Sequence, residues 1–127
     1  MTKLLFIAAG GAIGCVLRYS VGGWAQRLTQ GSFPVGTLAV NLCGCLAIGF
    51  LGALLAGPWL VREEYRFGIL VGLLGGFTTF SSYGWETFAL TNEGQFGMAL
   101  GNILLSNALG LFAVWAGYRV AEKVYGV

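Results

Sequence analysis

Charged residues cluster at a few points along this chain and leave two long blocks, residues 28–61 and 94–118, without a single Asp, Glu, Lys or Arg. Apolar sequence of that length is the pattern of helices that cross a bilayer, because a hydrocarbon core about 30 Å thick takes about 20 apolar residues of helix. Four such stretches follow one another, at about residues 4–28, 35–56, 67–90 and 94–118, the first interrupted only by Arg18 and Arg27. They predict an all-α integral membrane protein, one four-helix transmembrane domain over residues 1–127. Gly31, Ser32 and Pro34 mark a first turn over residues 29–34, and Gly57-Pro58 stops the second helix. The polar run Arg62-Glu63-Glu64-Tyr65-Arg66 opens the third span at the interface, and Thr91-Asn92-Glu93-Gly94 links it to the fourth. Links this short make successive helices antiparallel neighbours.

Composition sharpens the picture. Of 127 residues, 57% are hydrophobic and 9% charged, against about a quarter charged in a soluble domain, so no extramembrane domain fits. Lys3 followed by Leu4-Leu5-Phe6-Ile7 has the opening of a signal peptide, but the apolar run continues past any cleavage point and reads as a retained helix. The basic residues are scattered and form no block that would mark a nucleic-acid surface. Lys3, Arg62, Arg66, Arg119 and Lys123 fall on the side of the termini against Arg27 on the other, a bias towards cytoplasmic termini. Cys15, Cys43 and Cys45 all lie in spans; an odd number without any His reads as packing, not a metal cage or disulfide framework.

Glycines recur four apart, at Gly10 and Gly14, at Gly68, Gly72 and Gly76, and at Gly97 and Gly101. In lipid such small-residue ridges let backbones approach and gain packing energy. They predict tight helix contacts and are compatible with a homo-oligomer.

The third span carries an interruption, Gly75-Gly76-Phe77-Thr78-Thr79-Phe80-Ser81-Ser82-Tyr83, near its middle. Either the helix breaks there, which hydrocarbon tolerates only where the freed backbone is buried or lines a polar cavity, or it continues with hydroxyls bonded back to preceding carbonyls. Thr37 and Asn41 in the second span, and Asn102 and Ser106 in the fourth, are each four apart and stripe one helix face. Singly they are glue between helices; with Phe80 and Tyr83 they form a track of donors beside aromatic rings. No Lys, His or Asp lies deep in a span, and the one embedded acid is Glu86, a turn beyond Tyr83. A proton-coupled carrier would need such a group at its core; near a vestibule Glu86 instead accepts from neighbouring hydroxyls. Arg18 either snorkels or attracts anions.

At these residues the chain resembles the Fluc family of small fluoride channels, also called the CrcB family. The likeness runs over nearly the whole chain: a Gly-rich first helix ending in Arg18-Tyr19, then Gly36-Thr37-Leu38-Ala39-Val40-Asn41-Leu42 with Gly44, then Gly75-Gly76-Phe77-Thr78-Thr79-Phe80-Ser81. The resemblance implies an antiparallel dual-topology homodimer with two pores, a central structural sodium ion, and passive fluoride export across the bacterial inner membrane that relieves fluoride toxicity. By position it makes Asn41 the pore asparagine and Phe80 the first of two pore phenylalanines, with Tyr83 where the second is usually Phe. Gly75 and Thr78 match the positions whose backbone carbonyls surround sodium. Thr37 and Ser106 match members of the polar track beside the aromatic pair, Arg18 the basic residue of the vestibule and Glu86 a pore-side acid, and Ser81 and Ser82 are counted with the ion pathway. Asn102 and Gly110 stand where some relatives have Tyr and Ser.

The chemistry is coherent. Fluoride is small and strongly hydrated, so a dry passage must offer close donors: the positive edges of aromatic rings and the N–H and O–H groups of Asn, Ser and Thr. Full positive charge in the narrow part would hold the ion too tightly for conduction. Tyr83 keeps the ring edge and adds a hydroxyl, so conduction is expected to survive at an altered rate. A small dual-topology multidrug exporter would want a carboxylate in the first helix, where this chain has Arg18. A structural membrane subunit would use Asn41 and Phe80 for packing alone. An enzyme is not expected, because Ser81 and Ser82 lack a base and no nucleophile pair occurs at credible spacing.

Overall fold

The computed structural model describes residues 1–29, 31–57 and 61–127. Its elements are α1 (Thr2–Arg27), α2 (Val35–Ala56), α3 (Glu63–Phe67), a π-helical stretch (Gly68–Leu73), α4 (Leu74–Phe77), α5 (Phe80–Asn92) and α6 (Phe96–Tyr125). They make four helices long and apolar enough to cross a membrane, Thr2–Arg27, Val35–Ala56, Glu63–Asn92 and Phe96–Tyr125, and the third is broken between α4 and α5. Its helix begins at Glu63, earlier than the predicted 67, because Glu63 and Glu64 fill its first turn, where the helix dipole favours carboxylates. The fourth runs beyond 118 through a polar last turn held by Arg119 and Glu122 (2.6 Å) and ends at Gly126 with φ 68°.

The turns follow their residues. Gly94 takes φ 75° and lets the Gln95 N–H return to the Leu90 carbonyl at 2.8 Å, closing α5 in the left-handed manner that glycine permits. Pro34 sits one position before α2, at its cap and not in its first turn. The Gln26 side chain at the end of α1 bridges this corner, donating to the Phe33 carbonyl (3.1 Å) and accepting from the Gly36 N–H (3.0 Å). Pro58, half of the predicted stop after α2, lies outside the described residues.

Helices approach through glycine, as expected for two of the three predicted ridges. A Cβ on Gly10 would strike the Gly68 carbonyl and lie 2.9 Å from the Leu73 N; one on Gly72 would lie 2.6 Å from the Ile7 carbonyl, and one on Gly76 2.6 Å from that of Gly11. Thus α1 lies backbone to backbone on the π-helical stretch and α4. Gly97 and Gly101 do not form a comparable seam: a Cβ on Gly97 would meet nothing within 4 Å, and one on Gly101 only the Phe33 ring, at 3.8 Å. The close approach of α2 to α6 instead uses Gly49, against the Val114 carbonyl, and Gly117, against the Leu46 carbonyl. α5 packs on α6, so the broken span stands between α1 on one side and the α2–α6 pair on the other.

Candidate functional site

The break lies at Thr78 and Thr79, whose backbones are extended (φ −90°, ψ 159° and φ −151°, ψ 118°). Two β-branched residues after two glycines disfavour a continuous helix, yet in hydrocarbon each released backbone group needs a partner. Every such bond to Thr78 and Thr79 can be named. The Thr78 N–H and hydroxyl both donate to the Leu74 carbonyl (3.0 Å each). The Thr78 carbonyl accepts from Arg18 Nη1 at 3.1 Å. The Thr79 N–H donates to Asn41 Oδ1 at 2.8 Å, and the Thr79 carbonyl accepts from Asn41 Nδ2 at 2.9 Å. Back-bonding of a hydroxyl therefore does occur, at Thr78, but beside a true interruption.

Asn41 thus grips both polar groups of one residue with one carboxamide. Because the Thr79 N–H turns to Asn41, the Gly75 carbonyl loses the donor that an unbroken helix would have supplied four residues on. Arg18, half-buried, neither simply snorkels nor stands free: its guanidinium caps the carbonyl end of the first half-span, where the dipole favours a cation. On the other side of the break Thr79 is the N-cap of α5. Thr79 is buried (8% exposed), and its Oγ1 accepts from the Ser82 N–H (3.2 Å) and lies within hydrogen-bonding distance of the Ser81 and Ser82 hydroxyls, at 3.2 and 3.1 Å.

A groove of about 360 Å³ opens beside the break, and it brings together six of the residues singled out in the sequence: Asn41, Gly75, Thr78, Phe80, Tyr83 and Ser106. The Phe80 and Tyr83 rings lie 5.3 Å apart at 50°. Phe80 is 81% exposed in the single chain. Ser81, Ser82, Arg18, Thr37 and Glu86 do not line the groove. Thr37 and Glu86 pair with each other across α2 and α5, the hydroxyl donating to Oε1 at 2.6 Å, while Glu86 Oε2 is buried with no partner among the described residues.

Along the α5–α6 seam runs a relay of hydrogen bonds. Ser106 Oγ donates to Asn102 Oδ1 (3.3 Å), Asn102 Nδ2 to Thr87 Oγ1 (2.9 Å), and Thr87 Oγ1 to the Tyr83 carbonyl (2.7 Å). Asn102 is 1% exposed, so it serves as the buried knot of this seam and not as a groove residue. Two contributors escaped the sequence reading, Thr87, the relay, and Asn107, which lines the groove and donates to the Tyr83 hydroxyl at 3.3 Å; Thr79 reads in the sequence only as part of the interruption and not as the partner of Asn41. Asn107 follows Ser106 directly, so a search for polar residues four apart passes over it; the run Ser106-Asn107 within an apolar helix was the available signal.

Residues 5–118 match the family model described as CrcB-like protein, Camphor Resistance (CrcB). The chain belongs to the CrcB family. Among CrcB relatives, a protein of Geobacter sulfurreducens named fluoride-specific ion channel FluC is 44% identical over 98% of this chain and 100% of its own length. Relatives of the same name from Solibacter usitatus (43% identical, 95% of this chain and 99% of the relative) and Chloroflexus aurantiacus (44%, 92% and 93%) are similar over nearly as much. With four membrane-capable helices, this CrcB chain is a multi-pass bacterial membrane protein.

Proposed function

We infer that this protein is a fluoride-selective channel that exports fluoride passively across the bacterial inner membrane and so relieves fluoride toxicity. The observation that carries the reading is the groove where Asn41, Ser106 and the Phe80–Tyr83 pair converge beside a broken span, in a chain of the family whose relatives bear that channel's name. One amide hydrogen of Asn41 holds Thr79, which leaves the other for an anion. Ring edges of Phe80 and Tyr83 add positive rims without full charge, and release stays possible because no Lys or Arg lines the groove. The membrane potential drives the anion outward.

A second, antiparallel copy of the chain completes the pathway in this reading. Polar Asn41 and Ser106 beside an exposed Phe80 would otherwise face lipid across an open groove, an arrangement that hydrocarbon penalises. The Gly75 and Thr78 carbonyls fit a monovalent cation: they are neutral hard oxygens at the negative end of a half-helix, and a carbonyl has a second lone pair beside the one Arg18 occupies. One chain supplies too few oxygens for a closed shell, so a structural sodium ion belongs between two copies. When bound, it supplies positive charge at the break. Efflux from liposomes, followed with fluoride- and chloride-selective electrodes, tests the reading. Fluoride should leave rapidly and chloride not, with Asn41→Asp and Phe80→Ile slowing fluoride; equal rates for both anions would overturn it.

A further inference from the structure

Tyr83 and Asn107 stand out in the groove because they touch each other and because the pathway as derived uses only the tyrosine's ring. Asn107 Nδ2 donates to the Ile103 carbonyl at 2.7 Å, which ties the carboxamide to its own helix, and to the Tyr83 hydroxyl oxygen at 3.3 Å. Both residues line the same groove as Asn41 and Ser106. The phenol oxygen thus accepts from Asn107, and no bond donated by its proton is formed among the described residues. A free O–H in a cavity lined otherwise by Asn, Thr, Ser and apolar groups is a donor without a protein partner.

We infer that Asn107 fixes the Tyr83 hydroxyl so that its proton hydrogen-bonds the permeating anion, making the pair an affinity-setting rung of the pathway. This rests on the channel reading and adds to it a residue that sets how tightly the ion is held. Accepting a bond from Asn107 polarises the phenol and strengthens the bond that it donates, and a bond to an anion is of the strong, charge-assisted kind. The smallest halide, with its charge most concentrated, gains most from such a donor, so the pair favours fluoride over chloride. The tie to Ile103 matters because a hydroxyl held in place loses less freedom when the ion arrives.

Tyr83→Phe removes the hydroxyl and keeps the ring; Asn107→Ala removes the support and keeps the hydroxyl. Fluoride current in planar bilayers, measured against fluoride concentration, should half-saturate at a roughly ten- to hundredfold higher concentration in Tyr83→Phe, the range that a hydrogen bond to a charged group supplies. Asn107→Ala should shift it less, and the double variant should resemble Tyr83→Phe, since without the hydroxyl Asn107 has nothing to hold. Calorimetric titration of the purified proteins with sodium fluoride, with sodium chloride as the comparison, gives a readout independent of conduction. Fluoride binding weaker in Tyr83→Phe supports the pair even if the unaltered protein passes no fluoride, a result that would refute the channel alone. Half-saturation unchanged in Tyr83→Phe, or shifts from the two single variants that simply add, overturns the pair and leaves the channel standing.

Discussion

Replacing Asn41 by leucine separates two roles that the carboxamide can play. The side chain makes two bonds to one residue, Nδ2 to the Thr79 carbonyl at 2.9 Å and Oδ1 from the Thr79 N–H at 2.8 Å, and Thr79 is buried. Leucine is nearly isosteric but leaves both backbone groups orphaned, at about 1–3 kcal/mol each. The expected loss is therefore about 2–6 kcal/mol of folding stability together with fluoride flux. Aspartate keeps the acceptor for the Thr79 N–H but sets an anionic oxygen against the buried Thr79 carbonyl, so it should lose at least as much stability as leucine while also repelling anions. The assay pairs thermal unfolding of detergent-solubilised protein with fluoride efflux from liposomes. Asn41→Leu that unfolds with the unaltered protein but conducts nothing would refute the clamp, because the amide would then serve the ion alone.

Three further outcomes follow from contacts in the structure. Gly10→Ala should destabilise the fold by about 1–3 kcal/mol or more, because its Cβ meets the Gly68 carbonyl and the Leu73 N; Gly23→Ala, with open space around it, should be neutral in the same unfolding assay. Thr37→Val strips the donor from Glu86 Oε1 when Oε2 already lacks one, so it should lower the unfolding midpoint by the equivalent of about 1–3 kcal/mol, with Thr37→Ser restoring it. Asn102→Leu cuts the relay between Ser106 and Thr87 inside the α5–α6 seam and should lose about 1–3 kcal/mol, readable as faster amide exchange in α5.

Much of this architecture was legible in the chain because membrane physics leaves few choices. Long apolar runs with few charges give four spans, and Gly75-Gly76 before Thr78-Thr79 marks the break, since glycine followed by β-branched residues is a poor helix centre. The π-helical stretch was not legible: Gly68 and Gly72 read as an ordinary ridge, and only their seating against the α1 backbone shows where they pack. Gly49 and Gly117 escaped notice because neither has a glycine four residues away, and their role depends on which helices pair. Asn41 was singled out as a donor for an ion, whereas its clamp on Thr79 depends on a tertiary approach between residues 38 apart. Arg18 was left between two alternatives because its position on a helix does not reveal the carbonyl it caps.

The reversal potential across a planar bilayer, with sodium fluoride on one side and sodium chloride on the other, tests the central claim most directly. Neutral donors and ring edges in a groove without Lys or Arg should pass fluoride and refuse chloride, so the reversal potential at equal salt concentrations should be large, with the sign that holds fluoride back on its own side. A reversal near zero, with both halides passing alike, would contradict the account.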